Sequence, residues 1–183
     1  MPIHAVEALT KVLHSLYDDD SKPPIHVGEV MTCWTYLALL EETVVLEQIC
    51  LNTTEDTELQ ELLKKIQSKC SDQVTTLKKF LQQEGVPLPP ASEQKPDSDP
   101  RAIPEGAKMT DSEIASAVSA KLATSITLCA TGISQSVRND VSIMLLKFQM
   151  EAVNVSAILK ASMKKRGWLK VPPAYFPPGS PAE

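Results

Sequence analysis

Glu151–Phe176 reads EAVNVSAILKASMKKRGWLKVPPAYF. It ends a long amphipathic helix, turns at Gly167 and leaves through Trp168 into a proline-rich tail. Lys164, Lys165 and Arg166 fall in the last turn, where cations meet the negative end of the helix dipole. A shorter version of this ending occurs at Gln82–Pro90, QQEGVPLPP. The echo predicts one helical hairpin used twice.

Outward from these endings, the periodicity predicts five helices. Pro2–Tyr17 carries Ile3, Val6, Leu9, Leu13 and Leu16 at helical spacing, and Asp18–Pro24 breaks it with charge and proline. A helix over Val27–Leu51 has Glu29 in its first turn and a stripe through Val30, Trp34, Leu37, Ala38, Val45 and Cys50. Asn52–Thr54 is expected to end it and cap a helix over Glu55–Glu84, lined by Leu59, Leu62, Ile66, Cys70 and Leu77. Gly85 can supply a left-handed closing residue, and Pro87, Pro89 and Pro90 prevent the helix from resuming. Thr110-Asp-Ser-Glu113 is a capping box for a helix rich in Ala, Ser and Thr, ending near Val137. Asn139-Asp140 marks a turn before a helix over Val141–Arg166, with Met144, Phe148, Val155 and Ile158 on its apolar side.

Glu29 matches Glu113 at an offset of 84 residues, and Gly85 matches Gly167 at 82. Short turns make antiparallel neighbours, while the segment 86–109 is long enough to run the length of the bundle. The expected fold is therefore all-α: a ferritin-like four-helix bundle of two hairpins with a long crossover, plus an N-terminal helix and a C-terminal tail. The chain reads as one domain: 1–24, hairpin 27–85, crossover 86–109, hairpin 110–167 and tail 168–183.

The composition narrows the function classes. The chain has 183 residues with 43% hydrophobic and 4% aromatic content, so an aliphatic core is expected. A net charge of -5 argues against a general nucleic-acid binder. Met1–Thr10 lacks the pattern of a secretory leader, and no apolar run is read as reaching the about 20 residues a bilayer needs, so a cytoplasmic protein without membrane partners is expected. Cys33, Cys50, Cys70 and Cys129 form no Cys-x-x-Cys pair and read as buried reduced thiols.

The capping signals, the exit at Gly85–Pro90 and above all Met163–Tyr175, MKKRGWLKVPPAY, resemble a family of uncharacterised proteins from endospore-forming bacteria. That family is grouped with the ferritin-like fold and is similar in this ending to spore-coat F proteins. The resemblance spans Gly28–Tyr175. It implies a ferritin-like bundle with possible spore association and carries over no catalytic residue.

The fold raises the question of a dimetal centre, which needs a Glu from each of two helices and a Glu-x-x-His from each of the other two. His4, His14 and His26 all precede the bundle, the last helix offers Glu151-x-x-Asn154, and the residue matching Glu41 at the 84-residue offset is Ser125. No metal, cofactor or catalytic residue is therefore expected. Glu41 and Glu151 are the candidate ligand-binding residues: both lie on apolar stripes, and facing inward they would form a polar site for a small molecule or metal. A register shift of one residue would instead leave them half exposed. The first expectation is a non-enzymatic bundle acting as a homo-oligomer or in a spore-related assembly. The alternatives are that binding bundle and, third, a di-iron oxidoreductase. Trp168, Tyr175 and Phe176 either pack over the bundle end or present a sticky tail.

Overall fold

Both hairpins end in the same backbone device. Gly85 and Gly167 take φ of 71° and 70°. In each case the next residue donates back five positions, Val86 N to Leu81 O at 2.9 Å and Trp168 N to Met163 O at 2.9 Å. These are Schellman closures, in which a left-handed residue without a Cβ lets the last carbonyls find donors.

The computed structural model describes residues 22–175 together with Glu7, Thr10, Lys11 and Pro177. The expected N-terminal helix falls outside the described residues apart from Glu7, Thr10 and Lys11, as do His4, His14 and Phe176. The described helices are α1 (Val27–Leu51), α2 (Thr57–Gln83), α3 (Asp111–Gln135) and α4 (Asn139–Lys165), with short 3-10 turns at Pro100–Ala102 and Glu105–Ala107. Outside α1 several helix bounds differ from the sequence reading by one or two residues; the helix expected to end near Val137, for example, ends at Gln135. Asp56, rather than Asn52–Thr54, caps α2 by accepting Leu59 N at 2.8 Å. Helix α4 already begins at Asn139, so the turn is Ser136–Arg138.

Contacts at the two ends give the topology. Thr54, past the end of α1, donates to Asp111 at the start of α3 (2.6 Å). Glu29, at the start of α1, accepts from Val137 N and Arg138 N beyond the end of α3. So α1 and α3 are antiparallel. Asp56 and Glu58 at the start of α2 pair with Arg166 at the end of α4, so α2 and α4 are antiparallel too. Helices α2 and α3 then run the same way, and the chain between them must climb the whole bundle. This is the ferritin-like, all-α connectivity.

The crossover climbs along α1 in step with it. Trp34 Nε1 donates to Pro87 O (3.1 Å), Ser92 bonds Glu42, Gln48 reaches Asp97 (2.6 Å), and Asn52 holds Pro96 O and Ser98 N. Pro89 is buried, and Val86 and Leu88 pack against the core. The segment therefore covers the outside of α1.

The α1 core stripe is rotated by about one residue from the sequence reading. Its buried residues are Glu29, Cys33, Tyr36, Leu37, Leu40, Glu41, Thr43, Glu47 and Cys50, while Trp34, Ala38 and Val45 are only half buried. On α2, Leu63 replaces the expected Leu62 in the core. Gly132 lets α3 approach its neighbours: a Cβ there would stand 2.6 Å from Leu145 Cδ1 and 2.7 Å from Thr32 Cγ2. All four cysteines are buried and free. By length and composition α3 and α4 are apolar enough to cross a bilayer, which corrects the reading that no stretch is. Alanine, serine and threonine dilute their charge, although only 33% of their most apolar windows is buried.

Candidate functional site

All four helices contribute to a polar layer at mid-bundle. Gln73 of α2 sits at its centre, 5% exposed. Its Oε1 accepts from the Tyr36 hydroxyl of α1 (3.2 Å), and its Nε2 donates to Glu151 Oε2 of α4 (2.7 Å). Ser125 of α3 is buried beside the same hydroxyl. Phe148 packs its ring 6.0 Å from that of Tyr36. Burial, reinforced by the neighbouring Cys129, pushes the phenol above its ordinary range. The void among these groups is about 20 Å³, and Tyr36, Gln73, Ser125 and Glu151 are among the residues that line it. That is room for about one water with polar partners.

A second buried group lies on α1. Glu47 is 1% exposed, its Oε1 lies 3.7 Å from the Cys70 thiol, and its Oε2 has no hydrogen-bond partner. Desolvation pushes its carboxyl up to about 8, partly opposed by the Lys121 ammonium and the Cys70 bond. Burial lowers Lys121 in turn. The same desolvation moves the thiols away from reactivity: Cys33 goes up to about 12, and Cys50 and Cys129 to about 11. The sequence reading passed over Glu47. The usable signal was the heptad spacing Cys33, Leu40, Glu47, which places this acid on the core stripe.

The two acids singled out from sequence bond separate partners. Glu41 is 8% exposed, and Lys78 Nζ lies 2.6 Å from its Oε1 without hydrogen-bond alignment. Its Oε2 has no partner. Glu151 is half exposed and bonds Gln73, and Glu41 is not among the residues lining the central void.

At one end of the bundle, Glu29 is 2% exposed and accepts three backbone N–H groups: His26 at 2.9 Å, Val137 at 2.9 Å and Arg138 at 2.7 Å. The Arg138 guanidinium, 4% exposed, pairs with Glu84 and Asp140 at 2.8 Å each and stacks over Phe80. The Arg138 bond holds the Asp140 carboxyl down at about 2, with Lys22 adding to it. At the other end Arg166 pairs with Asp56 and Glu58 and lies over the Trp168 ring. Trp168 thus packs on the bundle end, whereas Tyr175 is exposed.

These residues do not fit the dimetal centre of the fold. Where α2 would supply Glu-x-x-His it supplies Cys70-x-x-Gln73; α3 supplies Ser125, and α4 supplies one carboxylate already tied to an amide. Among the described residues no three His, Cys, Asp or Glu side chains converge on a point that could hold an ion.

Residues 16–180 match the family model described as protein of unknown function, DUF3231. The chain is 34% identical over 153 residues to the uncharacterized protein YvdQ of Bacillus subtilis, covering 84% of this chain and 90% of that one. A Bacillus halodurans crystal structure described as a "putative spore coat protein" superposes with a TM-score of 0.82 at 32% identity, over 85% of this chain and 98% of the other. A two-domain Anabaena variabilis protein containing DJ-1/ThiJ/PfpI-like and ferritin-like domains superposes at 0.62 with 13% identity, over 94% of this chain and 52% of the other. At that identity the likeness concerns the fold alone.

Proposed function

The chain belongs to the DUF3231 family of proteins of unknown function, and on that premise we propose that it is a non-catalytic bundle acting by association within a spore-related assembly. The observation that carries this reading is the filled mid-bundle layer. Gln73 spends its amide on Tyr36 and Glu151, and the void left over holds about one water, so no substrate enters where this fold would do chemistry. The likeness to the Bacillus halodurans protein supports the spore setting. The chain would be made in the cytoplasm and join a spore layer from the mother-cell side. An epitope-tagged chain expressed in sporulating Bacillus subtilis should appear in the alkaline-detergent extract of washed spores. Recovery solely in the soluble mother-cell fraction would overturn the assembly reading.

A second reading, a metal- or small-molecule-binding bundle, draws on the partnerless Oε2 of buried Glu41. Purified chain offered iron, manganese and zinc would then retain about one equivalent or more of metal, as expected for a filled site. It would lose that metal when Glu41 and Glu151 are both replaced by Leu.

A further inference from the structure

Helix α4 carries two apolar stripes where a helix packed on one side needs one. The inner stripe, Val141, Leu145, Phe148, Ala152, Val155, Leu159 and Met163, is buried. The outer stripe is Ile143, Leu146, Met150, Val153 and Ala157, alternating three and four residues apart as in a helix–helix seam. Met150 and Val153 are each 49% exposed. Beside it on α3 runs a row of small side chains with the same alternation: Ser116, Ala120, Ala123, Thr127, Ala130 and Ser134, all exposed. Gln149 Nε2 of α4 donates to Ile126 O of α3 (3.1 Å), which sets the register that brings the two rows side by side.

The geometry points to this outward face of the α3–α4 hairpin as the interface with a second copy of the chain. The inference rests on the association reading and names its partner. Shape supports it first. A raised row on α4 lies next to a shallow row on α3, so a two-fold axis sets each ridge into the other copy's trough, a contact that is reciprocal by symmetry. Charge supports it next. Lys121 is the lone charged residue between Glu113 and Arg138 and is half buried near Glu47, so two copies meet without like-charge repulsion along α3; on α4 the row reaches exposed Lys160 and Lys164 only beyond Ala157, at one end of the face. The hydroxyls do not resist burial either. Thr127 donates to Ala123 O (3.0 Å) and Ser134 to Thr131 O (2.8 Å) within their own helix.

The size is sufficient. Two helices of about 38 Å, side by side at about 9 Å spacing, offer roughly 700 Å² per copy, so a dimer buries roughly 1,400 Å², within the range of stable interfaces. The other hairpin is unsuited. The crossover covers α1, and α2 turns Lys64, Lys65, Lys69 and Lys79 outward.

The full chain, examined by light scattering after size exclusion, should show twice its mass of 20.0 kDa. Val153→Asp and Ala123→Arg should each weaken the dimer at least about tenfold with helicity unchanged, as for charges placed at an interface centre. Thr76→Arg, on exposed α2, should leave it intact. A wild-type chain that stays monomeric at the highest concentration would overturn the proposal, whether its own N-terminal residues cover the face or it sediments with phosphatidylcholine–phosphatidylglycerol vesicles. So would a dimer indifferent to both substitutions. If the charged variants fail to fold, Ala123→Cys provides the readout: its maleimide labelling should slow as concentration rises, and a constant rate would overturn the interface. A monomer that still fractionates with the spore coat removes this interface and leaves the assembly reading standing; a dimer missing from spores does the reverse.

Discussion

The two hairpins share their punctuation and differ in what surrounds it. Glu29 and Glu113 hold the same position, 84 residues apart, near the start of each hairpin's first helix. Glu113 is exposed and serves its own cap, bonding Thr110 N at 2.8 Å. Glu29 is buried and also holds two N–H groups of the turn that opens α4. One motif is therefore a local cap in the second hairpin and a clasp between hairpins in the first. The outer faces diverge in the same way. The first hairpin is covered by the crossover and fringed with lysine; on the second, the described residues leave the outer face open, with Lys121 the lone charge of α3 beyond Glu113 and Lys147, Lys160, Lys164 and Lys165 exposed on α4. A repeated sequence signal specifies how a helix ends, and the partner across the bundle decides what that end is worth.

The sharpest way to break this comparison is to remove both acids. Glu29→Ala should cost about 3–5 kcal/mol in urea denaturation, because three backbone donors lose their acceptor in a buried place. Glu113→Ala should cost far less, since its carboxylate serves only an exposed cap of its own helix. Equal losses would mean that Glu29 is only a cap.

Glu47 comes next, since the corresponding interior of α3 holds no carboxylate. Its folded carboxyl titrates near 8, against 4.5 in the open chain. Between these values the folded state keeps a proton that the unfolded state has lost, so stability should fall as pH rises from 4.5 to 8. Glu47→Gln should flatten that slope and stabilise the protein at pH 8 by about 2–4 kcal/mol. An unchanged slope between pH 5 and 8 would place the proton elsewhere.

Gly132→Ala probes the approach between hairpins. Helix propensity favours alanine by about 1 kcal/mol, but the contacts with Leu145 and Thr32 should outweigh it, for a net loss of about 1–2 kcal/mol by thermal melts. A gain in melting temperature would show that those side chains yield freely. The smallest effect tests the symmetry itself. Gly85→Ala and Gly167→Ala place a Cβ in the same left-handed conformation, and each should cost about 1 kcal/mol. A clear inequality would mean that the two closures are supported differently by Val86 and Trp168.

Much of the fold was legible because its signals are local. The bounds of α1 were read to the residue, and the Thr110–Glu113 box and both glycine stops stand where the sequence put them. The crossover topology followed from a length argument, that 86–109 is too long for a hairpin turn. The site was less legible. Glu41 and Glu47 are both buried on α1, and the sequence reading singles out only the first. Helix α1 is apolar over most of its surface, with Val44, Val45 and Leu46 in succession, so periodicity alone leaves its inward direction undecided by tens of degrees. The apolar reach of α3 was also underestimated, because Ala, Ser and Thr spread hydropathy without forming an obvious run.

By itself the sequence determined the helices, their caps and stops, the pairing of neighbours through short turns and the lack of an imidazole within the bundle. All of these depend on residues a few positions apart, or on residue type alone. Only the tertiary structure decided which carboxylates are buried, that Gln73 joins Tyr36 to Glu151, that Glu29 clasps the second hairpin, and that the described residues leave one face uncovered. Those outcomes depend on helix rotation and on which segment lies across the bundle, and both are set by packing between residues distant along the chain.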